Sequence, residues 1–204
     1  TEENTLSLHD ALPILSPDGA QLAWLCWSHP RMPWEGSELW LADVGRDGLL
    51  ARSRRIAGGP GESLVQPLWS PRGELFVVSD RSGWWNLYRV QGDALRPVLP
   101  MAAEFGQPLW VFGQAMFGFT AEDEIVATYI EQGTSRLVRI DLARGTAQPM
   151  PTPFTDIDDL RAGPGFVVAL AASPTEPLQL VRIVAATGAH EVLARSVDES
   201  PDAA

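Results

Sequence analysis

A four-residue pattern returns along this sequence at intervals of about 40 to 50 residues. It consists of an apolar residue, an aromatic or apolar residue, an arginine and a second apolar residue. The copies lie at residues 87–90, 137–140 and 180–183, with a looser copy at 39–42. Repeats of this length are typical of β-propeller blades, in which each repeat is one small sheet. The repeat therefore favours a set of like sheets over a single continuous core.

Each repeat can be divided into four short strands. In the second repeat, residues 64–69 form the expected inner strand and Ser70-Pro71-Arg72-Gly73 the following turn, in which proline fixes φ and glycine permits positive φ. Residues 75–78 are apolar throughout, as in a strand buried on both faces. Pro97 predicts that the last strand lies at an edge.

The tetrapeptide Gln-Pro-Leu-Trp occurs twice, at residues 66–69 and 107–110. The repetition predicts that 107–110 is the inner strand of the third repeat. It also predicts that Trp69 and Trp110 occupy equivalent positions packed between blades. The inner strand of the first repeat is expected to be missing.

The predicted fold is all-β, a partial β-propeller of about four four-stranded blades of the TolB-like or prolyl oligopeptidase type. The predicted blades are 15–60, 61–103, 104–153 and 154–197, which together form a propeller fragment over 15–197. Residues 1–14 are interpreted as an adapter-derived or disordered leader, because 4–14 match an in-frame translation of a sequencing adapter. Residues 198–204 are interpreted as a truncated tail that leads toward a further domain.

Charge and cysteine content exclude several classes of function. The chain carries 26 acidic and 15 basic residues, for a formal net charge of -11, so nucleic acid is not an expected partner. The single cysteine, Cys26, excludes an intramolecular disulfide and a cysteine-based zinc cluster. No apolar stretch is long enough to predict a membrane span, and no secretion signal is visible. These features predict a bacterial cytoplasmic protein.

Two motifs are more specific than the repeat itself. They are His-Pro-Arg-Met-Pro-Trp at residues 29–34 and Asp-Arg-Ser-Gly-Trp-Trp-Asn-Leu-Tyr at residues 80–88. With Glu-Phe-Gly at 104–106, they resemble the propeller of prolyl oligopeptidase-family serine peptidases, often described as dipeptidyl aminopeptidases or acylaminoacyl-peptidases. The resemblance extends from residue 15 to about residue 196.

The resemblance implies a two-part enzyme that hydrolyses short peptides. In this family a propeller of seven or eight blades restricts access to an α/β-hydrolase domain that holds a Ser-His-Asp triad. The implied partners of this chain are therefore that missing C-terminal domain of the same parent and, through the parent, short peptides.

The residues themselves supply no catalytic centre. The nucleophile motif Gly-x-Ser-x-Gly is absent from the 204 residues, so we expect no catalytic residue in this chain. We interpret His29 as a loop residue and His190 as a solvated edge residue. The acidic runs 122–124 and 156–159 are expected to be a hairpin turn and a loop, and no metal or cofactor is predicted.

Tryptophan supplies the candidate binding residues. Trp34, Trp84 and Trp85 lie near predicted turns, where they could contact substrate or the missing domain, since tryptophan is enriched at interfaces. Two classes of function stay open. The first is a noncatalytic propeller that gates a peptidase, and the alternative is a TolB-like propeller that mediates protein interactions without catalysis.

Overall fold

The structure, a computed structural model, describes residues 13–111 and 113–197. These residues form sixteen β-strands and no helix, which confirms the predicted all-β class. The strands are β1 (Ile14–Leu15), β2 (Gln21–Cys26), β3 (Glu38–Val44), β4 (Leu50–Gly58), β5 (Leu64–Trp69), β6 (Leu75–Ser79), β7 (Asn86–Gln91), β8 (Ala94–Pro97), β9 (Phe117–Ala121), β10 (Glu124–Glu131), β11 (Thr134–Asp141), β12 (Thr146–Met150), β13 (Asp156–Gly163), β14 (Phe166–Ala172), β15 (Gln179–Val184) and β16 (His190–Arg195).

The strands form four separate four-stranded sheets. In each sheet the neighbours in sequence are neighbours in space and pair antiparallel, so the orders are β1-β2-β3-β4, β5-β6-β7-β8, β9-β10-β11-β12 and β13-β14-β15-β16. Because consecutive strands run antiparallel, successive connections alternate between the two ends of the sheet. The connection from second to third strand therefore lies at the same end as the segment that leaves the fourth strand.

The first compact unit contains the first two sheets and the described part of segment 107–113. Its core is formed by apolar residues of both sheets. Leu39, Leu64 and Val77 belong to it and have no exposed surface. Strand β6 is buried along its whole length, as its continuous apolar sequence predicts.

The second compact unit contains segment 98–106 and the last two sheets. Val126 and Leu137 of the third sheet pack in one cluster with Val167, Val181 and Ile183 of the fourth. Along β14 and β15 the alternate residues, including Val168, Leu170 and Leu180, are only partly buried and lie on the opposite face of the fourth sheet.

The structure corrects two expectations about inner strands. The first sheet does have an inner strand, because Ile14 and Leu15 pair with Ala23 and Leu22. In the third sheet the inner strand is Phe117–Ala121, and residues 107–110 form no strand. The tetrapeptide at 66–69 thus lies in a strand, whereas its copy at 107–110 lies in a connecting segment.

The acidic run 156–159 is a further correction. It lies in strand β13 rather than in a loop, with Ile157 buried in the core of the second unit. A register shift between Asp158 and Arg161, with Asp159 at a φ of 52°, lets the strand turn its carboxylates away from that core. The run 122–124, in contrast, does form the turn between β9 and β10 and the start of β10.

Candidate functional site

Three connecting segments of the first unit lie at the same end of its two sheets. They are the β2–β3 loop (27–37), the β4–β5 linker (59–63) and the β6–β7 turn (80–85). We call this end, together with segment 107–111, the loop end of the first unit. It contains all three tryptophans that the sequence identifies as candidates.

Two tryptophans form a partly exposed aromatic contact at this end. The ring centroids of Trp34 and Trp110 lie 4.3 Å apart at an interplanar angle of 45°. Trp110 is 71% exposed, whereas Trp34 is partly buried. We call these two residues the aromatic pair. Met32 and Val111, in the same two segments, are also exposed.

The other two candidate tryptophans differ in exposure. Trp84 is 43% exposed and could contact a ligand or another domain. Trp85 is buried within the first unit and leaves little surface for either. The structure brings Trp34 together with Trp110, whereas the repeated tetrapeptide predicts that Trp110 packs between blades.

The expected equivalence of Trp69 and Trp110 is wrong for Trp110. Trp69 packs against the core of the first unit, and its indole Nε1 donates a hydrogen bond to the Ile14 carbonyl at 3.1 Å. Trp110 has no comparable burial, because its segment precedes β9 rather than replacing it. Ser70-Pro71-Arg72-Gly73 follows Trp69 directly as a turn, whereas the sequence after Trp110 has no such turn motif.

An ion pair between Arg81 and Glu62 holds the β4–β5 linker against the second sheet. Arg81 donates from Nε to Glu62 Oε1 at 2.9 Å and from the guanidinium to Oε2 at 3.1 Å, and the Ser79 hydroxyl donates to Oε1 at 2.6 Å. Burial opposes the charged carboxylate, yet the hydrogen bonds from Arg81 and Ser79 outweigh it and lower the pKa of Glu62. Hydrogen bonds to Glu62 raise the pKa of Arg81 in turn.

Serine hydroxyls join the linker to the β2–β3 loop. Ser63 Oγ donates to the Pro33 carbonyl at 3.0 Å, and Ser37 Oγ both accepts from the Leu64 amide at 2.8 Å and donates to the Leu64 carbonyl at 3.0 Å. Ser37 and Ser63 are each 1% exposed. Because these bonds are buried, they fix the loop that presents Trp34.

The described residues offer no assembled hydrolytic centre. His29 is exposed in the β2–β3 loop, and exposed His190 begins the outer strand β16 and packs edge-on against Phe154. Among the residues that the structure describes, no group of three or more His, Cys, Asp and Glu side chains could hold a metal ion. Within the same residues, no helix could span a membrane.

The strand order and the repeat define the class of the chain, which is a β-propeller domain of four-stranded antiparallel blades. Solved structures refine this class. A puromycin hydrolase is 37% identical with a TM-score of 0.84, and a puromycin-hydrolyzing peptidase from Mycobacterium tuberculosis is 34% identical with a TM-score of 0.87. Each match covers 93% of this chain and 29% of the other protein, so the chain spans under a third of these relatives.

Two more distant structures share the fold. A prolyl endopeptidase is 16% identical with a TM-score of 0.67, over 93% of this chain and 27% of the other. TolB from Acinetobacter baumannii is also 16% identical, with a TM-score of 0.63, over 94% of this chain and 45% of the other. The chain has the fold of the prolyl oligopeptidase-family propeller, which confirms the resemblance inferred from its motifs.

Comparison with protein-family models gives no match. A search of curated proteins also gives none.

Proposed function

We propose that this chain is the noncatalytic propeller of a bacterial, cytoplasmic serine peptidase that hydrolyses short peptides. In the whole protein, an α/β-hydrolase domain that follows the propeller would supply the nucleophile, and the propeller would control which substrates reach it. The observation that carries the proposal is 37% identity to a puromycin hydrolase along 93% of the chain. A shared fold alone, as with TolB at 16% identity, would not support an activity.

We assign the aromatic pair to contact with the peptide. The aromatic pair offers apolar surface, mostly on the exposed Trp110, at small cost in conformational entropy, because tryptophan has few rotatable bonds. The pair lies on connecting segments, and the sheets beneath hold those segments in place, as is usual for binding residues on a rigid scaffold. An apolar side chain of a short peptide fits this surface better than a charged one.

The test uses the full-length protein and a chromogenic short peptide. We expect Trp34→Ala and Trp110→Ala each to raise KM by about tenfold, with kcat unchanged, because both remove binding surface and no reacting group. Leu49→Ala is the matched control: Leu49 is 68% exposed but lies in the β3–β4 turn, at the other end of the first unit. We expect this control to leave KM unchanged.

Several outcomes would count against the proposal. Equal effects of the three variants, or no effect of either tryptophan variant, would remove the aromatic pair from substrate binding. Full-length protein that binds other proteins but hydrolyses no peptide would favour the TolB-like alternative. The downstream reading frame separates the two classes directly, because the peptidase requires Gly-x-Ser-x-Gly followed by aspartate and histidine.

A further inference from the structure

The β6–β7 turn contains the motif Asp80-Arg81-Ser82-Gly83, to which the proposed function gives no role. Its side chains bind the β4–β5 linker, which in turn binds the loop that presents Trp34. The three segments form a chain of polar contacts across the first unit.

Asp80 makes the first contact of this chain. Its Oδ1 accepts a hydrogen bond from the Ser63 amide at 2.7 Å, and its own amide donates to the Ser63 carbonyl at 3.2 Å. Arg81 strengthens the same junction through its paired hydrogen bonds to the neighbouring carboxylate of Glu62. The linker is thus held by two adjacent residues of the turn.

The linker makes the second contact. The Ser63 hydroxyl donates to the Pro33 carbonyl, one residue before Trp34, at 3.0 Å. The Glu62 carbonyl accepts from the Ser37 amide at 3.0 Å. These bonds fasten the β2–β3 loop on both sides of Trp34.

We propose that Asp80 is a positioning residue that, through Ser63, holds Trp34 in place for peptide binding. The inference rests on the proposed function for its effect on substrate, but not for its effect on the loop. Asp80→Ala removes the acceptor of the Ser63 amide. Asp80→Asn keeps an oxygen in the same place and should restore the contact.

The first experiment measures amide hydrogen exchange by mass spectrometry in the full-length protein and requires no activity. We expect Asp80→Ala to speed exchange in peptides covering 28–37 by about tenfold, because the loop opens more readily when the partly buried hydrogen bond to Ser63 is lost. Peptides covering 166–172, in the second unit, should not change, and Asp80→Asn should exchange like the natural protein. Unchanged exchange at 28–37 in Asp80→Ala would overturn the proposal.

Ser63→Ala provides a second variant if Asp80→Ala does not fold. It removes only the hydroxyl bonded to Pro33, and we expect the same local increase in exchange. Unchanged exchange at 28–37 in Ser63→Ala would contradict the proposal equally.

The second experiment measures peptide hydrolysis. We expect Asp80→Ala to raise KM by about tenfold without lowering kcat, and Asp80→Asn to restore KM, because the chemistry is untouched and only the binding surface moves. If Trp34→Ala leaves KM unchanged, the proposed role of the aromatic pair in peptide binding fails, while the exchange result still decides the positioning role. If Trp34→Ala raises KM but Asp80→Ala alters neither exchange nor KM, the positioning role alone fails.

Discussion

The indole of Trp69 fastens the short first strand to the second sheet. It packs against the core of the first unit and donates to the Ile14 carbonyl. We expect Trp69→Ala to lower the free energy of unfolding by about 2 kcal/mol, since it removes packing and a hydrogen bond at a partly buried site. Trp110→Ala should cost under about 1 kcal/mol because Trp110 is largely exposed. Denaturant melts compare the two, and equal losses would contradict their different placement.

The candidate site was partly predictable at the level of single residues. The sequence predicts Trp34 near a turn, and the structure places it in the β2–β3 loop. Trp110 was not predictable as its partner, because the contact joins segments far apart in sequence and the repeated tetrapeptide suggested a strand. The sequence likewise does not distinguish Trp84 from Trp85. Trp84 is exposed, whereas packing within the first unit buries Trp85.

At the level of elements, Glu62 makes the β4–β5 linker sensitive to pH. Because its pKa is lowered in the folded state, the ionised carboxylate stabilises the fold above its ordinary pKa, and this contribution is lost as pH falls through the folded value. We expect the natural protein to lose stability more steeply than Glu62→Gln between about pH 6 and about pH 3. Chemical denaturation at each pH measures this, and parallel curves would contradict the assignment.

Two inner strands of the second unit, β9 and β13, approach each other closely. A Cβ on Gly118 of β9 would lie 2.6 Å from the Ala162 Cβ of β13. We therefore expect Gly118→Ala to cost about 1–3 kcal/mol through overpacking. Gly61→Ala is the control, because no atom lies within 4 Å of its added Cβ, and it should change stability by less than about 1 kcal/mol. A neutral Gly118→Ala in thermal melts would show that the strands can separate without cost.

The sequence alone does not predict strands whose positions depend on contacts between distant segments. The apolar run 75–78 and the Gly-containing turn before it predict β6, which is buried along its whole length. Strand β9 contains Gly118 and so lacks the uniform apolar character of β6; its place is fixed by contact with β13. The bulge in β13 likewise accommodates an acidic run that, read alone, is typical of a loop.

In the whole molecule, the fourth sheet presents a largely apolar face that is only partly buried. Val168, Leu170 and Leu180 share this face with Arg182, and a formal net charge of -11 does not cover the apolar side chains beside that arginine. We expect the purified chain to self-associate in light scattering, and Leu180→Glu to reduce the association. A stable monomer with a cooperative melt would contradict this expectation.

The most direct test of the peptidase assignment compares this chain with the full-length protein, using a serine-reactive probe and a short chromogenic peptide. We expect the full-length protein to be labelled and to hydrolyse the peptide, and the 204-residue chain to be unlabelled and inactive because it lacks the nucleophile motif. Labelling with turnover by the isolated chain, or a full-length protein that is neither labelled nor active, would contradict the assignment.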